Sequence, residues 1–492
     1  MGQGLEQNSG PELHLGKSAI ATFVKKLAAH HFKHWHGLAQ RTQPFSDGTP
    51  LVSQWPIAPN NYFDYAILPQ IGDAGSYFYH SHVGFQAVTA HGALIVKDIG
   101  EPPYCYTQDE ILMFGDFYPA NDSVIEAGLV ANPFKWPGET QAVTINGFSG
   151  NQSFSNATDS SCKPYVITVE PGCTSRLRFI GRTAISLVTL AIEDHDNLTI
   201  IEADGAYTKP YTTDHLQVAT GQRFSILFQA KTAEELIQLN KTQFWLRYET
   251  RDRPTNVSGY ALLQYSYRLP HQHLASLPAD LPSVPPVTLP QEVNNWLEYS
   301  LESLKQTDPF PRLHEVTRTV TITMAQLMVT GWYHSGKLDG VVQWIQNGLS
   351  WQEAARANKS VAPYLVDVYT THATPNYTAA IEGKGYDPVA RAFPAQIDEV
   401  LDIVWLSNSG PSGGWDYHAM HAHGAHYYDL GSGNGTYKAT LNEAKFANYT
   451  PAKRDTTNLY RYATKGAANT TAGWRAWRIR VTEDSKYTEL SS

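Results

Sequence analysis

Four histidines fall within nine residues, His418, His421, His423 and His426, at spacings of three, two and three. Two more pairs stand at spacing two far upstream, His34-Trp35-His36 and His80-Ser81-His82. In an extended strand, residues i and i+2 point to one face. Each His-x-His pair therefore aims two imidazoles at one place, and three such pairs can surround a small metal cluster. On the same period His421 and His423 share a face, while His418, an odd step away, faces the other way. Imidazole suits copper, zinc and iron, and Cu(II) stands highest in affinity among first-row divalent ions. A zinc hydrolase on the same histidines would set a carboxylate ligand and general base at close spacing; none is evident.

The segments that must position these residues read as short strands. Tyr77–His82, Ala93–Lys97, Ile111–Phe117, Tyr165–Val169, Ser175–Ile180, Leu198–Ile201 and Phe224–Phe228 are β-branched or aromatic runs bounded by Gly, Pro or Asp. Val316–Thr323, Val400–Trp405 and Trp474–Val481 continue the pattern. Regular short strands with turn signals predict sandwiches or barrels. Helix is expected only in short pieces, at Ala233–Leu239, Gln291–Ser303 and Ser350–Arg356. The stretch 270–312, rich in Pro and Leu, reads as a connector packed along the surface.

The chain has 492 residues, about three domains by length. Charged residues make up 17% and the net charge is -9, which argues against a nucleic-acid surface. No apolar run approaches the roughly 20 residues that span a bilayer, so no membrane association is expected. The first residues lack the basic-then-apolar pattern of a signal peptide, yet Asn-x-Ser/Thr sequons begin at eleven asparagines from Asn121 to Asn469, as in secreted glycoproteins. Cys105, Cys162 and Cys173 allow at most one disulfide.

His34-Trp-His-Gly37, His80-Ser-His82 with Gln86 following, and His418-x-x-His421-x-His423-Gly resemble three of the four signature stretches of the multicopper oxidases. Ile201-Glu-Ala-Asp-Gly205 and Arg454-Asp-Thr-Thr-Asn-Leu-Tyr-Arg-Tyr462 resemble the fungal laccase and ascorbate-oxidase-like branch. The resemblance covers nearly the whole chain. It implies an all-β fold of three cupredoxin-like Greek-key sandwiches: 1–103, 104–270 and, after the connector 271–312, 313–492. It implies a blue type 1 copper that takes electrons singly from a phenolic or similar reductant, and a trinuclear cluster that reduces O2 to water. His34 and His421 would hold the type 2 copper, His36, His80, His82 and His423 the type 3 pair, and His418 the type 1 copper. Asp47 matches an acidic position that helps deliver protons to oxygen; as Asp47-Gly48 it reads equally well as a turn residue. Asp204 reads as a turn residue or as one facing the substrate entrance. His426 is expected behind the ligands or at the surface, and His30 and His31 in solvent. A secreted monomer is the family expectation.

The fourth stretch, His-Cys-His, is absent from these residues, and none of the three cysteines has a histidine neighbour. Blue-copper sites need a thiolate beside two imidazoles. The last sandwich is therefore expected to be incomplete at its carboxyl end, the type 2 and type 3 cluster to be partial, with four of the family's six type 3 histidines, the type 1 site to be incomplete, and the oxidase to be impaired. The alternative is a non-catalytic cupredoxin-type protein that binds metal or a partner.

Overall fold

The computed structural model describes residues 33–482, except 155–157, 268–277, 279, 306–307, 329–339, 351–361, 373, 384, 391, 410–414, 464–465 and 468–469. It also describes the strands Glu12–His14, Ala19–Val24 and Leu490–Ser491. The expected helix over Ser350–Arg356 and the placing of His30 and His31 lie outside the described residues.

The chain builds three cupredoxin-like Greek-key sandwiches in succession. In the first, a four-stranded sheet runs in the order Glu12–His14, His91–Lys97, Gly75–His80, His34–His36, and a two-stranded sheet pairs Ala19–Val24 with Tyr62–Ile67. Ala19–Val24, which sequence reading did not recognise as a strand, is β-branched enough to pair once Tyr62–Ile67 offers an edge. In the second, sheets of six and five strands enclose the largest core, with Phe114, Phe179, Phe224, Leu246 and Leu263 at its centre. Its strand Gln243–Arg251 alternates buried and half-buried residues, as a strand with one face on the core must. In the third, a six-stranded sheet faces a three-stranded one ordered Thr456–Leu459, His418–Ala422, Leu490–Ser491. Four parallel pairings interrupt the otherwise antiparallel order of the described strands: Glu12–His14 with His91–Lys97, Gln108–Phe117 with Thr174–Gly181, Val166–Val169 with Ser258–Tyr265, and Arg318–Met328 with Val400–Asn408.

The helix at Ala233–Leu239 forms as expected, closed by a Thr232/Glu235 capping box. The helix expected over Gln291–Ser303 does not form. Asn295, Leu297 and Tyr299 take positive φ of 62°, 60° and 59°, which no right-handed helix tolerates. The reason is tertiary: Glu298 is drawn inward to Arg475 (2.6 Å) and Ser432 (3.0 Å), and Leu289, Val293 and Leu301 are buried. No described helix is long and apolar enough to cross a membrane.

The first and third sandwiches meet at the histidines. His34–His36 pairs with Gly75–His80 so that His34 lies opposite His80 and His36 opposite Phe78. In the third sandwich, His421 lies opposite Thr456. The seam is held by the helix Tyr364–Thr371, whose first amides, Tyr364 and Leu365, donate to Leu51 and Val52 of the first sandwich (2.9 and 2.8 Å). Behind it, Trp477 is fully buried, stacks on Tyr427 at 3.8 Å and donates its indole N–H to Thr457 at 2.6 Å. Trp477→Ala should cost about 3–5 kcal/mol of stability, read as a lower urea midpoint with unchanged slope.

Candidate metal centre

The sequence-expected imidazoles converge from two sandwiches. Ligand atoms of His34, His421 and His423 lie within 4.8 Å of one another, as do those of His34, His36 and His80. His82 joins them, with its ring 5.3 Å from His423 and 5.7 Å from His80. His34 stacks on His423 at 3.8 Å and His36 on His421 at 3.7 Å, so each stack joins one ring from each sandwich.

Outer partners fix the ring tautomers. His34 Nδ1–H donates to the Asp47 carbonyl (2.8 Å), His80 Nδ1–H to the Ser81 carbonyl (2.8 Å) and His421 Nδ1–H to the Asp455 carbonyl (2.9 Å). His423 Nδ1–H donates to Asp47 Oδ2 at 2.8 Å. Each ring keeps one proton outside and one lone pair inside. His36 is the reverse: its Nε2–H donates to Thr456 Oγ1 (3.2 Å), which leaves Nδ1 free.

Two consequences bear on metal binding. His34 Nε2 and His421 Nε2 stand 3.4 Å apart, two acceptors face to face. His423 Nε2 is buried with no hydrogen-bond partner. A buried acceptor left unpaired costs about 1–3 kcal/mol, and facing lone pairs repel. A cation between them removes both penalties, and imidazole–metal bonds of about 2.0–2.1 Å fit the span. The donor set thus fits copper.

Burial depresses the imidazoles. His82 is pushed down to about 3, first by burial and then by His423 and His34. His36 and His80 lie well below 6.5, again first by burial, then by His421 and His34 respectively. His34, His421 and His423 are lowered for the same first reason. All six are neutral at pH 7, the protonation state a ligand needs. Burial alone would raise Asp47, but His423 and His34 outweigh it and hold its carboxyl well below the usual range.

Asp47 takes the turn position that one of its sequence readings expected. It closes the short helix Pro44–Asp47 ahead of Gly48, which takes φ 83°, and it grips His423 and His34 with its carboxylate (2.8 and 3.4 Å). Asp204 is a turn residue at φ 49°, fully buried, and pairs with Arg454 at 2.6 Å instead of facing a substrate entrance. His426 sits behind the cluster; its Nε2–H donates to the Gly37 carbonyl at 2.9 Å, with Asp455 Oδ2 3.3 Å away. His418 belongs to none of the converging groups among the described residues, nor does any cysteine. It is half-buried and points away from His421 and His423, as period two requires.

Sequence reasoning gave no role to Asp455, which is fully buried and lies 3.6 Å from His36 Nε2 and 3.5 Å from His421 Nδ1. The only signal was its place in Arg454-Asp455-Thr456-Thr457, four polar residues in a stretch that reads as strand.

Segments of two separate Greek-key sandwiches bring six neutral imidazoles together, a donor set that fits a metal centre in a protein of the cupredoxin class. Multicopper oxidase family models match residues 8–100, 108–268 and 360–475. Multicopper oxidase aurL2 of Gibberella zeae is 59% identical over 454 residues, covering 92% of this chain and 75% of the relative. Laccase-like multicopper oxidase 1 of Thermothelomyces thermophilus is 42% identical, covering 96% and 78%. Among solved structures, the Botrytis aclada laccase L499M mutant superposes with a TM-score of 0.69 at 21% identity, over 96% of this chain and 77% of that one. The chain belongs to the multicopper oxidase family, a family of copper-binding oxidoreductases.

Proposed function

We propose that the converging histidines are the oxygen-reducing copper site of an oxidase acting on phenolic or similar small reductants. The observation that carries this reading is the facing pair His34 Nε2 and His421 Nε2 at 3.4 Å, ringed by four further neutral imidazoles. In this reading His34 and His421 hold the type 2 ion, His36, His80, His82 and His423 hold the type 3 pair, and His418 is a ligand of the type 1 ion. Bound copper supplies the one-electron steps and the seat of O2 reduction. The chain's own residues do the rest. Nδ1–H bonds hold four rings in place, those of His34, His80 and His421 to carbonyls and that of His423 to the Asp47 carboxylate. Asp47 Oδ2 accepts from His423 Nδ1 and from the Thr49 hydroxyl (2.6 Å), while its Oδ1 makes no hydrogen bond. Oδ1 is the atom through which a proton would be passed toward oxygen.

The reductant has a docking surface of the right chemistry near His418. Phe134 meets Trp344 at 6.1 Å and Trp136 at 6.3 Å; Trp136 is 43% and Trp344 38% exposed. Arg253, held by Glu139 at 2.7 Å, lies 5.8 Å over Trp136. Trp344 is the cross-strand partner of Gln326, which donates to Asp416 at 2.7 Å, two residues before His418. Exposed aromatic faces stack planar rings at low entropic cost. Trp344→Ala should raise KM for a phenol about 5–20-fold with little change in copper content, as steady-state kinetics beside metal analysis would show.

A second reading starts from His418: among the described residues, no converging group pairs a cysteine with it. That reading is a non-catalytic, copper-binding protein of the cupredoxin type. Copper loading separates the two. A blue protein that consumes O2 with a phenol supports the oxidase; a colourless one that holds copper without O2 uptake supports the second. Secretion is proposed on the sequons alone, of which Asn121, Asn197, Asn240, Asn256, Asn376, Asn434 and Asn448 are exposed.

A further inference from the structure

Arg223 belongs to the second sandwich, on the strand Arg223–Gln229, yet it stands directly behind the imidazoles of the other two. It is fully buried. Its Nη1 and Nη2 donate to Asp455 Oδ1 and Oδ2 of the third sandwich at 2.6 and 2.7 Å, and its Nε donates to the Ser76 carbonyl of the first at 3.0 Å. Asp455 in turn faces His36 (3.6 Å), His421 (3.5 Å) and His426 (3.3 Å). Two glycines make the approach possible. A Cβ on Gly37, at φ 94°, would collide with the Arg223 guanidinium; one on Gly221, at φ 80°, would come within 2.8 Å of His36 Cε1.

We propose that Arg223 is a positioning residue for the metal site: through Asp455 it fixes the rings of His36 and His421 and keeps Asp455 itself from becoming a ligand. His36, His421 and Asp455 have ligand atoms within 4.8 Å of one another, so the carboxylate could capture an ion with those two rings. A bidentate guanidinium occupies both oxygens and sets the plane of the carboxylate. The Thr456 hydroxyl adds a third bond to Oδ1 at 2.8 Å. Asp455 is left as a charge beside the rings, held too firmly to turn a lone pair to metal. The second sandwich thereby sets the geometry of a centre to which it gives no ligand.

This inference rests on the histidines being metal ligands, and the test separates the two. Arg223→Lys keeps the charge but loses the fork. Arg454→Lys makes the same change in a pair joining the same two sandwiches, Arg454–Asp204 at 2.6 Å. Both variants should lose thermal stability to a similar degree. Only Arg223→Lys should change the hyperfine splitting of the uncoupled copper in EPR and weaken chelator-competed copper affinity by about tenfold or more. Unchanged EPR and affinity in Arg223→Lys, or equal changes in Arg454→Lys, overturn the proposal. If Arg223→Lys does not fold, Asp455→Asn gives the same readout, with a shifted signal expected and an unshifted one overturning the proposal. If the parent takes up no copper, the metal reading fails on its own; Arg223 is then judged in crystals of metal-free Arg223→Lys, where retention of the 3.7 Å His36–His421 stack overturns its role and loss of the stack supports it.

Discussion

Stripped of metal, the chain should lose stability steeply as the pH falls from about 6.5 toward 3. An imidazole of ordinary pKa binds a proton throughout that window when the chain is unfolded. In the folded chain His82 is held down to about 3, and His36 and His80 well below 6.5, first by burial and then by neighbouring imidazoles. The unfolded state therefore binds more protons, and stability rises with pH across the window and is lost as pH falls through it. For His82 alone the difference is on the order of 5 kcal/mol, a large part of a typical domain's roughly 5–15 kcal/mol. Below about pH 4, Asp47 and Asp455 act in the same direction, since the folded chain holds both carboxyls well below their usual range. His426 opposes the trend: burial alone would lower it, but Asp455 raises it above 6.5, so its small share grows on acidification. Urea midpoints at pH 7, 5.5 and 4.5 measure the sum. A midpoint independent of pH over that range would show that the imidazoles are not desolvated as described. Copper should raise the midpoint at pH 7, because it binds the folded lone pairs and not the unfolded chain. That gain should shrink as protons compete.

The strands were legible because burial on one or both faces leaves a mark in composition. Thr174–Gly181 and Arg223–Gln229 are β-branched or aromatic runs, and both form central strands of the six-stranded sheet. What misled was the 291–303 segment, where local propensity for helix lost to Glu298 reaching Arg475 across 177 residues. No window of sequence carries that contact. Ala19–Val24 was missed for the opposite reason, since an edge strand of mixed character declares itself only when its partner is known.

At the site, the histidines were legible because strand period two turns a spacing of two into a shared face. Their convergence was not, since the spacing cannot say that the His34 and His421 rings, 387 positions apart, meet. The supporting residues were less legible still. Asp455 and Arg223 lie 232 positions apart, and a buried Arg or Asp in a strand looks in sequence like any solvated charge. Only the glycines hint at crowding: Gly37 follows His36 directly, and Gly221 precedes Arg223 by two residues.

Replacing His421 or His34 by Ala should each abolish most copper binding at the ion they are proposed to share, by about 100-fold or more in affinity, since each removes one of two facing imidazoles that outer bonds have already oriented. The two losses should not add: once either ring is gone, the other has no ion to share, so the double variant should lie within a few-fold of the singles. Additive losses would mean that the two rings serve separate ions. The same substitutions make a second statement in the metal-free chain. Each removes a buried imidazole whose lowered pKa penalises folding in acid, so each should flatten the decline in stability between pH 6.5 and 4.5 while leaving a cavity that lowers it at pH 7. A substitution elsewhere in the core, such as Trp477→Ala, lowers stability at every pH alike. Isothermal copper titrations and urea midpoints on one set of proteins thus separate what these imidazoles do for the metal from what their burial costs the fold.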